Sequence, residues 1–335
     1  MNDLKVALNQ AAQSIPAHTD WGQPRLAVDR VFSLQGIGTI ATGTLTGGII
    51  KQGQSIKAIP PGKTSRIRSV QSHNQGKNHA FPGSRTALSL SESTPEQLPT
   101  GATLTLSEQS ETTQTIDVCL ERSSRLPADS ISLRTDTRVR VHHGSGHWPA
   151  RMVLMEGKSL GPGEKQLAQL RLEKSVCIWV GDRIVIRNWP ETVTLAGGRV
   201  LDAYAKNKDL RTATQKTFLK QRAEHHTDTY KWIESQINRD GVGKRDGILK
   251  PSHFYPTEIQ MTIDNMIASK ELVQVGQWIA KIDTWNNLRA QCAAEINKEH
   301  QEHPERIGLA LEQLRPLVGS CLLYTSDAAD EGLGV

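Results

Sequence analysis

Arg30 is a charged side chain in a run of residues that otherwise predicts a half-buried strand. Leu26, Val28 and Phe32 alternate with other neighbours, as in a strand with one apolar face. The same alternation places Arg30 on that apolar face. A guanidinium that leaves water is costly unless it is paired. Arg30 therefore either emerges at a bulge or barrel rim, or lines a cleft and receives an anion. The residues alone favour the rim.

Four further arginines lie in two later segments that also predict strands. Arg138 and Arg140 alternate with valines, while Arg183 and Arg187 flank two isoleucines. This pattern projects positive charge from one strand face, where it could contact the phosphates of a nucleic acid. An ordinary solvated sheet face is the alternative, and the residues alone favour it.

The stretch HHGSGH raises the question of a metal site at His142, His143 and His147. His142 and His143 are adjacent, so they point to opposite faces of a strand. Neither an acidic residue nor a cysteine lies at a useful spacing, and the glycines give little preorganisation. We therefore predict no metal site.

The sequence offers no catalytic constellation and no phosphate-binding loop. Such a loop needs Gly-x-x-x-x-Gly-Lys-Ser/Thr, whose backbone amides surround phosphates. Gly62-Lys63-Thr64 supplies only the last three residues, because Lys57 stands where the first glycine belongs. Pro60-Pro61 also removes amide donors. We predict a hairpin turn here, no GTP binding and no catalytic residue.

Composition limits the class of protein. The 335 residues suffice for two to four domains, and a hydrophobic content of 37% allows real cores. A net charge of +5 predicts that any contact with nucleic acid is confined to patches. No apolar run could span a membrane and no signal peptide is recognisable, so we expect a cytoplasmic protein. The cysteines form no close pair, which fits a reducing cytosol: Cys119, Cys177, Cys292 and Cys321.

Short strands punctuated by glycine and proline fill the chain up to about residue 203, a spacing that suits small antiparallel barrels. Gly36 and Gly38 predict the turn of a first hairpin, and Gly47-Gly48 predicts a second hairpin turn. Further strands are predicted at residues 55–59, 65–72, 86–90, 102–106, 115–120, 137–142, 167–172, 182–187 and 194–200.

From residue 208 the pattern changes to amphipathic helices. Helices are predicted over residues 210–223, 229–237 and 248–255, and a capping box at Thr257 and Gln260 opens another. A hairpin turned at Gly276 follows, an order typical of a winged helix. The last helix would repel a phosphate backbone, so we interpret this module as a spacer or protein-contact unit. Its outward residues are neutral or acidic: Glu258, Gln260, Thr262, Asp264 and Asn265.

The segment DRVFSLQGIGTIATGTLTGG resembles the opening of the second, barrel domain of elongation factor Tu-like translation factors. Asp29-Arg30 and Thr42-Gly43-Thr44 occupy positions where that family has them. Within the family, residues 139–143, 181–187 and 194–200 resemble the third domain of the selenocysteine-specific elongation factors (SelB). The resemblance implies a multidomain β plus α fold, with two elongation factor Tu-like antiparallel β-barrels followed by a winged-helix domain, that is, a helix-turn-helix with a wing.

The resemblance also predicts domain boundaries. The first segment would be the terminal helix of a GTP-binding domain that is otherwise missing, and the last resembles a translated sequencing-adapter read-through. The expected segments are 1–22 (terminal helix), 23–112 (β-barrel domain 2), 113–203 (β-barrel domain 3), 204–283 (winged helix 1), 284–318 (part of winged helix 2) and 319–335 (artefactual tail).

The family implies a translational GTPase that uses GTP and magnesium to deliver selenocysteinyl-tRNA to the ribosome at recoded UGA codons. This chain, without the GTPase domain, is expected to be a non-enzymatic monomer that carries no cofactor and contacts no membrane. The selenocysteine-insertion mRNA hairpin would bind through C-terminal winged helices that are also missing.

The resemblance assigns site residues as well. Asp29, Arg30 and Arg85 match the family's proposed selenocysteine-contacting positions, with Asp29 orienting or partly neutralising an arginine. A selenol ionises well below a thiol, so arginines would favour its anion over the neutral hydroxyl of serine. The tRNA backbone would then meet the four arginines of the later strands, Arg138, Arg140, Arg183 and Arg187.

Two alternatives stay open. A general elongation factor Tu-like, aminoacyl-tRNA-binding chain would share the barrels, but the helical module after the third domain counts against it. A winged-helix DNA-binding regulator would need a basic recognition helix, and this one is not basic. Selective binding of selenocysteinyl-tRNA over seryl-tRNA would separate all three.

Overall fold

The structure, a computed structural model, describes residues 2–14, 20–91, 93–106, 110–126, 132–306, 308 and 312–313. The chain divides into two compact units, Met1–Asn207 and Lys208–Val335. The first unit begins with helix α1 (Asn2–Ser14), whose Leu4 and Leu8 are exposed. No helix in the described ranges is both long enough and apolar enough to cross a membrane.

The first barrel is built from residues 25–105. β1 and β2 form the hairpin predicted at Gly36 and Gly38, which both adopt positive φ. The barrel order is β4-β9-β1-β2-β8-β5, and pairing of β5 with β4 closes it. The strands are β1 (Arg25–Leu34), β2 (Gly38–Thr46), β3 (Ile50–Lys51), β4 (Ser55–Ile59), β5 (Lys63–Ser72), β6 (Gln75–Lys77), β7 (His79–Ala80), β8 (Arg85–Leu90) and β9 (Thr103–Thr105).

The interior of the first barrel is aliphatic. Leu26, Val28, Leu45, Leu88 and Leu104 are all buried in one cluster, as alternation along each strand requires. Each side chain of this size that leaves water contributes about 1.5–3 kcal/mol to folding. The barrel wall is therefore a stable support for the polar side chains on its outer face.

The second barrel is closed in the order β10-β15-β13-β12-β16-β17, with β17 pairing back to β10. Its core includes Val139, Val141, Ile184 and Ile186, the apolar partners of the alternating arginines. The strands are β10 (Thr113–Arg122), β11 (Leu133–Arg134), β12 (Thr137–His143), β13 (Gly146–Leu154), β14 (Ser159–Leu160), β15 (Lys165–Val176), β16 (Arg183–Arg187) and β17 (Thr194–Asp202).

The second unit combines helices with a small antiparallel sheet of order β18-β20-β19. Trp232, Ile233, Ile259 and Ile263 are buried at its centre. Its elements form a helix–helix–strand–helix–strand–strand–helix series. They are α2 (Ala213–Glu224), α3 (Thr229–Asp240), β18 (Val242–Lys244), α4 (Pro256–Ala268), β19 (Leu272–Val275), β20 (Trp278–Lys281) and α5 (Ile282–Glu302).

Two sequence-based predictions in the second unit are wrong. Residues 248–255 form no helix, and this stretch ends at Tyr255, the N-cap of α4. Helix α4 starts at Pro256, whose ring suits the first helical position, so Thr257 lies inside the helix and opens no capping box. The outward face of α4 is also engaged within its own unit, because Gln260 and Asp264 bind Arg245 at 2.8 and 2.6 Å.

Three predictions about the strands have different outcomes. The turn at Gly62 is confirmed, since it joins the paired strands β4 and β5. The predicted hairpin at Gly47-Gly48 is wrong, because the strand that follows these glycines, β3, pairs with β7 instead of with β2. Strand β13, which contains Pro149, was not predicted. That proline is tolerated because pairing with β15 begins only at the following residue, Ala150.

The predicted partial second winged helix, residues 284–318, contains most of α5. The predicted tail, residues 319–335, lies outside the described residues.

Candidate functional site

A β-bulge at Asp29 determines where Arg30 lies. Pairing of β1 with β2 shifts between Val28 and Arg30, so Asp29 is the inserted residue. A bulge of this kind reverses the alternation beyond it. Val31 packs against the core in place of Arg30, and Arg30 is exposed. The prediction that Arg30 shares the apolar face of Val28 is therefore wrong, whereas its exit at a bulge is observed.

Asp29 holds Arg85 on the outer face of the first barrel. Nη1 of Arg85 lies 3.0 Å from Oδ2 of Asp29, and Nη2 donates to Oδ1 at 3.2 Å. Thr42 on the intervening strand β2 donates to Asp29 Oδ1 at 2.7 Å, which fixes the carboxylate. The Arg85 side chain is 64% exposed. A guanidinium has five N–H donors, so three of those of Arg85 point away from this pair and are free to meet an anion.

Thr42, which binds Asp29, also contacts the backbone of Arg30. Arg30 is opposite Thr42 in the strand register, and the Thr42 hydroxyl lies 3.3 Å from the Arg30 carbonyl oxygen. The structure thus brings Asp29 and Arg85 into direct contact, and Arg30 is the exposed residue that follows Asp29 on β1.

A cleft of about 340 Å³ lies between the two barrels, and Asp29 is part of its lining. The first barrel contributes Arg25 and Thr44 to its lining, and the second contributes His143, Asp182 and Arg183. Arg183, predicted to contact the tRNA backbone, lies in this cleft rather than beside Arg138 and Arg140.

The floor of the cleft is a buried ion pair that joins the barrels. Both terminal nitrogens of Arg25 donate to the two oxygens of Asp182 at 2.7 Å, and His143 Nε2 lies 2.9 Å from Oδ2. The backbone N–H of Trp179 donates to the same oxygen, and its ring lies 3.9 Å below the Arg25 guanidinium. Burial alone would raise the pKa of Asp182, but Arg25 and His143 outweigh it and hold that pKa well below its usual range.

The outer face of the second barrel carries the other predicted arginines. Arg138 and Arg140 lie 3.9 and 4.2 Å from the ring centroid of Trp189, a half-exposed side chain after β16. Arg187 is opposite Arg140 on the neighbouring strand β16. Sequence reasoning missed Trp189, whose position in a loop gave no periodic signal.

Strand register adds two arginines to this surface, which we call the arginine face. Arg151 is opposite Arg138 on one side and opposite Arg171 on the other, so three arginines cross β12, β13 and β15 in one row. Like charges directly opposite one another destabilise a sheet. Glu173 relieves part of this repulsion by pairing with Arg138 at 2.9 Å. Glu191 likewise pairs with Arg140 at 3.4 Å, so the face keeps a net positive charge with part of it already paired.

Two sequence motifs, the Gly62-Lys63-Thr64 stretch and HHGSGH, bear on the binding of a phosphate or a metal ion. The Gly62-Lys63-Thr64 stretch forms the turn between β4 and β5 and the first residues of β5. His142 and His143 point to opposite faces as predicted, with His143 directed at Asp182 and His142 at Glu191. His147 lies beside His142 and also reaches Glu191, an acidic residue that the fold brings in from the loop after β16.

Comparison with known proteins finds similarity to one family of translation elongation factors. Residues 120–207, most of the second barrel, match the model of the β-barrel domain of the selenocysteine-specific elongation factor.

Several curated proteins of one name are similar to parts of the chain. Selenocysteine-specific elongation factors from three bacteria are similar to the chain: Desulfomicrobium baculatum (32% identical, covering 56% of this chain and 30% of the relative), Haemophilus influenzae (24%, 87% and 45%) and Escherichia coli (30%, 53% and 26%). The chain spans between a quarter and a half of the length of these relatives. The chain is thus a partial SelB-like sequence, and the predicted resemblance is confirmed.

Solved structures share the fold. A crystal structure of the bacterial selenocysteine-specific elongation factor EF-Sec has a TM-score of 0.73 at 20% identity, covering 98% of this chain and 51% of that one. Apo translation elongation factor SelB from Methanococcus maripaludis gives 0.54 at 22% identity, covering 62% and 49%. The predicted architecture of two antiparallel barrels followed by helices is confirmed, and the winged-helix assignment stays a prediction.

Proposed function

We propose that this chain is the part of a SelB-like translation factor that holds selenocysteinyl-tRNA for delivery to the ribosome at recoded UGA codons. The aminoacyl end would lie on the first barrel, at Asp29, Arg30 and Arg85. The tRNA backbone would follow the arginine face of the second barrel. The observation that carries the proposal is the exposed Asp29–Arg85 ion pair beside Arg30.

The chemistry of selenium supports this site. A selenol ionises far more readily than the hydroxyl of serine, so the aminoacyl group of the cognate tRNA carries a negative charge near neutral pH. Arg85 is fixed by Asp29 and presents free N–H donors, and Arg30 is exposed next to it. A charge-assisted hydrogen bond from either guanidinium stabilises the anion and gives a neutral hydroxyl much less.

Asp29 has a positioning role in this proposal. Its carboxylate binds the terminal edge of Arg85 and accepts a hydrogen bond from Thr42, so its own charge is compensated before a ligand arrives. The guanidinium is thereby held in one orientation, which lowers the entropy lost on binding.

The arginine face supports contact with phosphates. Arg138, Arg151 and Arg171 form a row across three strands, and Arg140 and Arg187 form a neighbouring pair. Trp189 stacks with the guanidiniums of Arg138 and Arg140. Such contacts position a nucleic acid without reading its sequence.

The remaining assignments belong to the same proposal. Residues 23–112 and 113–203 would act as domains 2 and 3 of the factor, and residues 204–283 as a winged helix. GTP hydrolysis with magnesium and recognition of the selenocysteine-insertion mRNA hairpin would reside in parts of the intact factor other than these residues, and the chain would act as a cytoplasmic monomer.

Binding of tRNA tests the proposal. The chain is titrated into fluorescently labelled selenocysteinyl-tRNA and into the same tRNA charged with serine, under reducing conditions and at several salt concentrations. We expect salt-dependent binding of both, with tighter binding of the selenocysteinyl form. Equal affinity for the two, or the absence of binding, would contradict the proposal.

A further inference from the structure

His142 and His147 face each other across the β12–β13 hairpin. They are register partners on adjacent strands, and their ring centroids are 5.5 Å apart. Glu191 reaches both from the loop between β16 and β17. Its Oε2 atom lies 3.3 Å from His142 Nε2 and 3.3 Å from His147 Nδ1.

These distances match those between the ligands of a metal ion. Bonds of 2.0–2.2 Å to a tetrahedral zinc ion place two ligand atoms about 3.3–3.6 Å apart. Both His–Glu distances fall at the lower end of that range, and all three ligand atoms lie within 4.8 Å of one another. His147 is half-exposed, so its ring can rotate to bring the third distance into range.

His142 has an unused lone pair for such an ion. Its Nε2 atom is buried and has no hydrogen-bond partner among the residues that the structure describes. This nitrogen is therefore available to a bound ion.

The carboxylate of Glu191 is held in place by its surroundings. Nε of Arg140 lies 3.4 Å from Oε1, which leaves Oε2 directed at the two histidines. Outer partners of this kind orient metal ligands in known sites. The backbone of Glu191 adopts a positive φ of 59°. The Asn188 side chain donates a hydrogen bond to the Thr192 hydroxyl and accepts one from the backbone N–H of Val193, and these two bonds fix the loop.

We propose that His142, His147 and Glu191 bind one divalent transition-metal ion, of the class of zinc, on the surface of the second barrel. Two imidazole nitrogens and one carboxylate oxygen are a donor set that zinc uses in proteins, and three protein ligands leave a fourth position open for water or an external group. The prediction of no metal site considered only nearby residues and overlooked Glu191. The positive charge of Arg140 and Arg187 opposes cation binding, and Glu191 offsets part of it.

Metal titration of the purified chain tests this inference. The chain is stripped of metal with a chelator and titrated with Zn²⁺ by calorimetry, and with Co²⁺ followed by visible absorption. His147→Ala and Glu191→Gln are compared with His79→Ala, which removes an exposed histidine from the first barrel. Circular dichroism of the metal-free variants verifies that each is folded.

We expect one Zn²⁺ per chain and a Co²⁺ spectrum of nitrogen and oxygen ligation without a thiolate charge-transfer band. His147→Ala and Glu191→Gln should each weaken binding by at least about tenfold, because even the loss of an outer partner has that effect. His79→Ala should bind as the parent does. The inference is overturned by an absence of stoichiometric binding, by unchanged affinity in both ligand variants, or by an equal loss in His79→Ala.

Discussion

Asp29 and Arg85 are 56 residues apart in the chain and form a two-point ion pair on the outer wall of the first barrel, at 3.0 and 3.2 Å. The pair is largely exposed, so its contribution to the stability of the fold is small, about 0–1 kcal/mol. Because the fold depends little on this ion pair, Arg85 is available for binding and can be substituted without unfolding the barrel.

The buried ion pair between Arg25 and Asp182, in contrast, cannot lose one partner without a large loss of stability. Its side chains are 11% and 7% exposed, and removal of one partner leaves an uncompensated buried charge. We predict that Asp182→Ala lowers the free energy of unfolding by about 3–5 kcal/mol, measured by urea denaturation followed by circular dichroism. Asp29→Ala is the matched control, with an expected change of about 1 kcal/mol or less. Similar changes in the two variants would contradict this account.

The same pair predicts a dependence of stability on pH. The pKa of Asp182 is depressed in the folded state, because Arg25 and His143 outweigh the effect of burial. The unfolded chain therefore binds the proton more readily, and the stability contributed by Asp182 is present above the unfolded pKa of about 3.9 and is lost below it. The difference in urea midpoint between the parent chain and Asp182→Asn should be constant from pH 7 to pH 5 and shrink towards pH 3. A difference as large at pH 3 as at pH 5 would contradict the prediction.

Cys177 offers a chemical probe of the contact between the barrels. It packs with Ile59 and Trp179, and burial raises its pKa to about 11. At pH 8 roughly one thiol in a thousand is then ionised, so alkylation by iodoacetamide should be very slow. Mass spectrometry of peptides should show that Cys292, half-buried on α5, is alkylated before Cys177. Modification of Cys177 at the rate of Cys292 would indicate that the contact between the barrels opens readily.

Salt dependence tests the arginine face. If Arg138 and Arg151 each meet one phosphate, then Arg138→Ala and Arg151→Ala should weaken binding of both selenocysteinyl- and seryl-tRNA alike. Each should also reduce the slope of log affinity against log salt by about 1. Arg68→Ala, an exposed arginine on the first barrel, is the control and should leave the slope unchanged. An unchanged slope in the two test variants would mean that this face is merely solvated.

The sequence was sufficient to predict the barrels, because alternation and glycine turns are local signals. The hairpin at Gly36 and Gly38 and the buried rows of Leu26 and Val139 follow from those signals directly. The side of strand β1 on which Arg30 lies could not be predicted, because the bulge at Asp29 interrupts the alternation of side chains along the strand.

The rest of the site depends on pairings between distant segments. Arg151 and Arg138 become neighbours only through the register of β12 and β13, and Glu191 reaches His142 only through closure of the second barrel. Neither relationship leaves a local pattern in the sequence. The family resemblance supplied Arg85 for the same reason, since spacing alone could not connect it to Asp29.

The central claim is that Arg30 and Arg85 select the charge of the aminoacyl group. The most direct measurement is the ratio of affinities for selenocysteinyl-tRNA and seryl-tRNA in Arg30→Met and Arg85→Met, with Arg68→Met as the matched control. Loss of a charge-assisted contact of about 1.5–3 kcal/mol should lower affinity for selenocysteinyl-tRNA roughly ten- to a hundredfold. Affinity for seryl-tRNA should change far less, and the control ratio should stay that of the parent chain. Equal losses for both tRNAs would show that the arginines support only the barrel or the tRNA backbone, and would contradict the claim.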